Sequence, residues 1–184
     1  GFGRFEDTAG NVYEGEWTAD TMTNHGSWHW RNGTSYLGPH EHGVRSGYGL
    51  YSTGNGDIYT GNFVNNEIEG RGVMLYNDRT HYEGHFNNGQ RSGVGCMVID
   101  GGKTRQVGSF SNDVREGTFV VRRAITMPDG TPAEETQRGV WEDNEFKDWL
   151  GPPSNPRATQ IFVDRFRRGV DFQGPFAALV VGNL

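Results

Sequence analysis

The chain has 184 residues, 17 basic and 23 acidic, for a net charge of −6. That suits one domain or one short array and argues against nucleic acid as the main partner. Its 29 glycines follow no period of three, which excludes collagen; its 11 Phe, 5 Trp and 7 Tyr exclude a plainly disordered chain; a mean hydropathy of −0.72 argues against one thick core.

The opening Gly1-Phe2-Gly3 is neither a signal peptide nor an initiator methionine, and reads as a half-repeat or as the continuation of upstream sequence. From there a 23-residue period runs along the chain. Tyr13, Tyr36, Tyr59 and Tyr82 mark it. Gly15, Gly38, Gly61 and Gly84 follow two residues later. Trp17, Phe63 and Phe86 follow by four, with His40 as the exception. Gly3, Gly26, Gly49, Gly72 and Gly95 form another column. Gly1, Gly47, Gly70 and Gly93 form a further one, with Asn24 in its gap. Phe5, Trp28, Tyr51, Met74 and Met97 complete the register.

Tyr59, Gly61 and Phe63 alternate, so they share one face of a strand; Gly70, Gly72 and Met74 do the same on a second strand. The glycines read as seats for aromatic rings. Asn32-Gly33, Asn55-Gly56 and Gly101-Gly102 read as two-residue type I′ hairpin turns, and Val64 to Glu69 as a longer, six-residue connection. Each unit is thus about one β-hairpin.

On these columns, and on Tyr82-Glu83-Gly84-His85-Phe86-Asn87-Asn88-Gly89 and Tyr13-Glu14-Gly15-Glu16-Trp17 in particular, the chain resembles the MORN repeat. The resemblance implies an all-β, elongated solenoid of stacked antiparallel β-hairpins. A half-repeat covers 1–12 and good repeats 13–105. Degenerate repeats cover 106–142, where Gln106, Gly108, Phe110 and Gly117 keep the frame after a one-residue slip. Gln137, Gly139 and Trp141 follow an insertion around Met127-Pro128-Asp129-Gly130.

Residues 143–184 read as a short C-terminal α-helical cap or docking tail. Phe146, Trp149 and Leu150 have helical spacing, and Gly151-Pro152-Pro153 breaks it. Asn155 and Pro156 suit the start of a helix. It carries Phe162, Arg165, Phe166, Arg167 and Arg168, a candidate docking helix with a basic end. A second short helix opens at Gly174-Pro175.

Catalytic and metal chemistry find little support. Six histidines are present, but His40 fills an aromatic column and no Cys or carboxylate cluster joins them at ligand spacing, so no metal and no cofactor is expected. Glu14 with Glu16 and Glu67 with Glu69 occupy ordinary solvated positions. Gly-x-Gly steps open no helix, so they are structural rather than phosphate-binding. The single cysteine, Cys96, excludes an internal disulfide framework and favours a reducing compartment.

The expected function is therefore a non-enzymatic protein-binding scaffold. The resemblance implies a groove that takes an extended peptide or helix, and end-to-end self-association. Its candidate contact residues are Tyr13, Trp17, Tyr36, Tyr59, Phe63, Tyr82 and Phe86. It also implies a role in cytoskeletal assemblies of the cytoplasm, cilium, flagellum or axoneme. The alternatives are a membrane-surface targeting module or the regulatory region of a longer enzyme. Membrane contact is disfavoured by residues 1–100, which carry 6 basic against 12 acidic side chains.

Overall fold

The structure, a computed structural model, describes residues 1–126, 128 and 130–151. It falls into two units: Gly1–Asp78 with Phe86–Gly89, and Arg79–His85 with the described residues from Gln90 onward.

The first unit contains β1 (Phe2–Glu6), β2 (Val12–Thr18), β3 (Thr21–His29), β4 (Ser35–Glu41), β5 (Val44–Arg45), β6 (Gly47–Ser52), β7 (Ile58–Val64) and β8 (Glu67–Leu75). They pair antiparallel in chain order, β1-β2-β3-β4-β6-β7-β8, with β5 beside β4. β9 (His81–Asn87) contributes residues to both units. The second unit contains β10 (Gln90–Ile99), β11 (Thr104–Ser111), β12 (Val114–Arg115), β13 (Gly117–Thr126), β14 (Pro132–Glu142) and β15 (Glu145–Trp149). Here the order is β10-β11-β13-β14-β15, again antiparallel, with β12 beside β11. The expected all-β array of hairpins is present.

The repeat has a simple physical unit. In register, Tyr59 opposes Met74 and Gly61 opposes Gly72; Tyr13 with Trp28 and Gly15 with Gly26 repeat the pattern. The tyrosine ring leans along its own strand and lies over this glycine pair. A Cβ added at Gly61 would stand 2.6 Å from the Tyr59 Cζ and 2.7 Å from the Gly72 Cα, so only glycine admits the ring. The ring ends at the bulge that follows, where its hydroxyl donates to a backbone carbonyl three residues on. Tyr13 donates to Glu16 at 3.3 Å, Tyr36 to Pro39 at 2.9 Å, Tyr59 to Asn62 at 3.2 Å and Tyr82 to His85 at 3.0 Å. Burying each ring stabilises the fold by about 2 kcal/mol, and the hydroxyl bond adds about 1. The bulge itself explains another column: Gly47, Gly70, Gly93 and Gly117 have φ of 74, 73, 63 and 84°, and Asn24 holds the same role at 52°.

Two expectations are corrected. The type I′ turns are not at Asn32-Gly33, Asn55-Gly56 or Gly101-Gly102. They are the two-residue connections Ala19-Asp20, His42-Gly43, Asn65-Asn66, Asn88-Gly89, Asn112-Asp113 and Asp143-Asn144, where both residues have positive φ. The stretch read as a six-residue connection thus closes through Asn65-Asn66 alone. Gly33 and Gly56 instead supply the single left-handed residue of five-residue loops, Trp30–Thr34 and Thr53–Asp57. These are closed by Trp30 N–H to Thr34 O at 2.9 Å and Thr53 N–H to Asp57 O at 2.9 Å. Gly101-Gly102 belongs to the 3₁₀ turn Asp100–Gly102. Asn and Asp visit the left-handed region more readily than other non-glycine residues, so four of these six tight turns form without a glycine.

The second correction concerns the segment around Phe146, Trp149 and Leu150. Its first two aromatics lie in β15, not in a helix, and Glu142↔Glu145 and Trp141↔Phe146 pair it to β14. Phe146 and Trp149 pack on Trp141 at ring separations of 5.1 and 6.4 Å, so aromatic contact outweighs helical spacing. The helix expected to carry Phe162, Arg165, Phe166, Arg167 and Arg168, and the one at Gly174-Pro175, lie outside the described residues, as do Met127 and Asp129.

Candidate protein-interaction face

Within each unit, strand alternation puts the repeat aromatics on one face, and the Tyr-over-Gly packing decides which of them stay covered. Tyr13, Tyr36, Tyr59 and Tyr82 are at most 1% exposed, Phe63 is 1% and Phe86 4%. These six of the seven candidate contact residues are core: the four tyrosine rings are wedged against glycine backbone, and Phe63 and Phe86 stand edge-on to tyrosine rings. Tyr36–Phe63, Tyr59–Phe63 and Tyr59–Phe86 centroids lie 5.1, 5.4 and 5.2 Å apart at steep angles. Trp17 is half-buried. It lies over Gly3, with its backbone paired to Gly1 at 2.7 Å in both directions.

A different set of aromatics remains reachable. Phe5 is 42% exposed, and Trp28, Trp30 and Tyr51 are half-buried on the same face of the first unit. They form a run: Phe5–Trp28 at 6.4 Å, Trp28 stacked on Trp30 at 5.5 Å and 13°, and Trp30–Tyr51 at 6.5 Å. Phe5, Trp28 and Tyr51 belong to the column opposite the tyrosines, and Trp30 extends it by two residues. That column was visible in the sequence, but nothing there said it was the uncovered one.

The Arg45 guanidinium sits among these rings, 5.2 Å from Tyr51, 5.3 Å from Phe63, 5.7 Å from Tyr36 and 6.0 Å from Trp30. Burial pushes the Tyr36 phenol up to about 12, with the Arg45 charge opposing. Arg45 also reaches the next turn: its backbone N–H donates to Asn66 Oδ1 at 2.8 Å and its Nη2 to the Asn66 carbonyl at 2.7 Å. The second unit repeats the device twice. Arg91 grips Asp113, and Arg115 grips Asn144 while its Nη1 donates to Gln106 Oε1 at 2.7 Å. These arginines were missed. Their signal was the 46-residue step from Arg45 to Arg91, two periods of the repeat.

His40 stands where its column otherwise holds an aromatic ring. It is 4% exposed and edge-on to Tyr13 and Tyr36, 5.2 Å from each centroid. Neither ring nitrogen makes a well-formed hydrogen bond among the described residues, and burial holds its imidazole down at about 4. No group of three His, Cys, Asp or Glu side chains among the described residues is placed to hold a metal ion.

Residues 13–35, 41–58, 59–81 and 82–104 match the family model of the MORN repeat. No curated protein matches the chain.

Proposed function

Because this chain belongs to the MORN-repeat family, whose repeats are commonly protein- or membrane-binding modules and typically not enzymes, we propose that it is a non-enzymatic protein-binding scaffold. The observation that carries this reading is the run Phe5–Trp28–Trp30–Tyr51. Large rings held in fixed positions by cross-strand packing, yet partly open to solvent, are the side chains from which interface anchors are made. The scaffold serves a cytoskeletal or other large assembly, in the cytoplasm or at a cilium, flagellum or axoneme. The net charge of −6 disfavours an anionic membrane as its first partner.

The test is fractionation of cells expressing the tagged protein, with detergent extraction and a salt wash. Retention with filament or axoneme proteins, lost in Trp30→Ala and Tyr51→Ala variants that keep the wild-type melting temperature, supports the scaffold. Complete release with the detergent-soluble membrane fraction overturns it.

A further inference from the structure

The second unit carries a concentration of positive charge that the repeat packing does not use. On β11 and β13, Arg105 and Arg122 are direct cross-strand partners. Like charges placed opposite one another on a ladder destabilise it. Beside them a cleft of about 280 Å³ is lined by Gly102, Lys103, Arg105, Arg122, Ala124 and Glu134. Glu134 pairs with Arg122, Oε1 to Nε at 3.2 Å, and so accounts for one of the three cations. Among the described residues, the Lys103 and Arg105 side chains have no hydrogen-bonded or ion-paired partner.

Two further observations point the same way. The Thr136 hydroxyl, on the residue that pairs with Arg122 across β13 and β14, is buried without a hydrogen-bond partner among the described residues. Burial, and after it the Arg105 charge, holds the His81 imidazole below its usual range.

We propose that this cleft binds a soluble ligand through a phosphate monoester. The charge matches: the two uncompensated cations face a group that carries about −1.5 to −2 at neutral pH. The geometry matches as well, because a guanidinium offers paired N–H donors to phosphate oxygens while the lysine supplies a mobile point charge. Gly102 and Ala124, which complete the lining, add almost no side-chain bulk to the cleft. A soluble ligand is favoured over a bilayer because Glu135, Glu142, Asp143, Glu145 and Asp148 in the same unit repel an anionic surface. The ion pair with Glu134 then acts as a competitor, holding Arg122 until the ligand draws it away.

The test is calorimetric titration of the full chain with inorganic phosphate and with O-phosphoserine, in a buffer free of other polyvalent anions. The expected result is saturable binding of one equivalent. It weakens roughly tenfold or more in Arg105→Thr and Lys103→Gln, tightens in Glu134→Gln and is unchanged in Lys147→Gln. Thermal melts guard against misfolding: relief of the repulsion leaves the ligand-free Arg105→Thr protein at least as stable as wild type, while the phosphate-induced rise in Tm disappears. Three outcomes would overturn the proposal. They are no saturable binding, equal weakening by Lys147→Gln, or pelleting with phosphatidylcholine–phosphatidylserine vesicles without binding of either soluble probe.

Discussion

Arg91 holds the turn residue Asp113 by three hydrogen bonds. Its backbone N–H and its Nε donate to Oδ1 at 2.9 and 2.8 Å, and its Nη2 donates to the Asp113 carbonyl at 2.8 Å. In return the Asp113 N–H donates to the Arg91 carbonyl at 3.0 Å. Twenty-two residues separate the two in sequence, so this clasp ties one hairpin to the next where the ladder itself is interrupted by a bulge. The guanidinium also lies 5.4 Å from the Phe110 ring and 5.8 Å from Tyr82. Arg45 with Asn66 and Arg115 with Asn144 repeat the arrangement.

Removing the clasp has a size set by its chemistry. The Arg91 side chain is 18% exposed, so its hydrogen bonds are largely shielded from water. Arg91→Ala is expected to cost about 2 kcal/mol, and Arg91→Lys nearly as much, because an ammonium cannot span Oδ1 and the carbonyl together. Asp113→Asn is expected to change stability by less than about 0.5 kcal/mol, since Asn66 and Asn144 already perform that task in the sister turns. Urea unfolding of the three variants checks the order. An Asp113→Asn loss as large as that of Arg91→Ala would show that the charge, not the acceptor geometry, carries the clasp.

His40 makes stability depend on pH. Its folded-state pKa of about 4 lies below the ordinary value of 6.5. Between those values the unfolded chain binds the proton and the folded one does not. Stability contributed by the neutral ring is therefore complete above about pH 6.5 and falls as the pH drops towards 4, by up to about 3 kcal/mol. His40→Phe restores the ring found at Phe63 and Phe86 and removes two buried nitrogens, for a gain of about 1 kcal/mol at pH 7. The gap between variant and wild type should widen as pH falls from 7 to 5. Parallel denaturant midpoints across that range would contradict the assignment.

Ala19 occupies the first position of a type I′ turn with φ of 47°, where the sister turns carry Asn65 and Asn88 at 50 and 47°. A left-handed alanine costs about 1 kcal/mol relative to asparagine, whose short polar side chain tolerates the region. Ala19→Asn is expected to raise the melting temperature by a few degrees without altering any partner contact. A scanning calorimetry trace with no rise would place the strain elsewhere.

Much of this architecture could be read along the chain because its repeat is local. Tyr59, Gly61 and Phe63 fall on one strand, and Gly72 on the next strand lies across from Gly61. A ring two residues from a glycine needs no distant information to find its seat. The turns were harder. Asn32-Gly33 and Asn65-Asn66 both suit positive φ, and which of them closes in two residues depends on where the bulge at Gly70 shifts the register. Phe146 and Trp149 were misread because three apolar residues at helical spacing also serve a strand, provided a ring such as Trp141 waits across the ladder.

The amino-acid sequence alone determined the family, the period, the hairpin unit and the glycine seats, since each follows from spacings of two, four and 23 residues. Only the tertiary structure decided which aromatics are covered. Tyr13, Tyr36 and Tyr59 vanish beneath their neighbours while Trp28, Trp30 and Tyr51 stay within reach of solvent, although all six are equally apolar to a reader of the chain. It also decided that Arg105 faces Arg122 and that Arg91 reaches Asp113. The reason is physical: exposure and charge pairing belong to the packing of one strand on the next, and a side chain's identity does not specify what will stand opposite it.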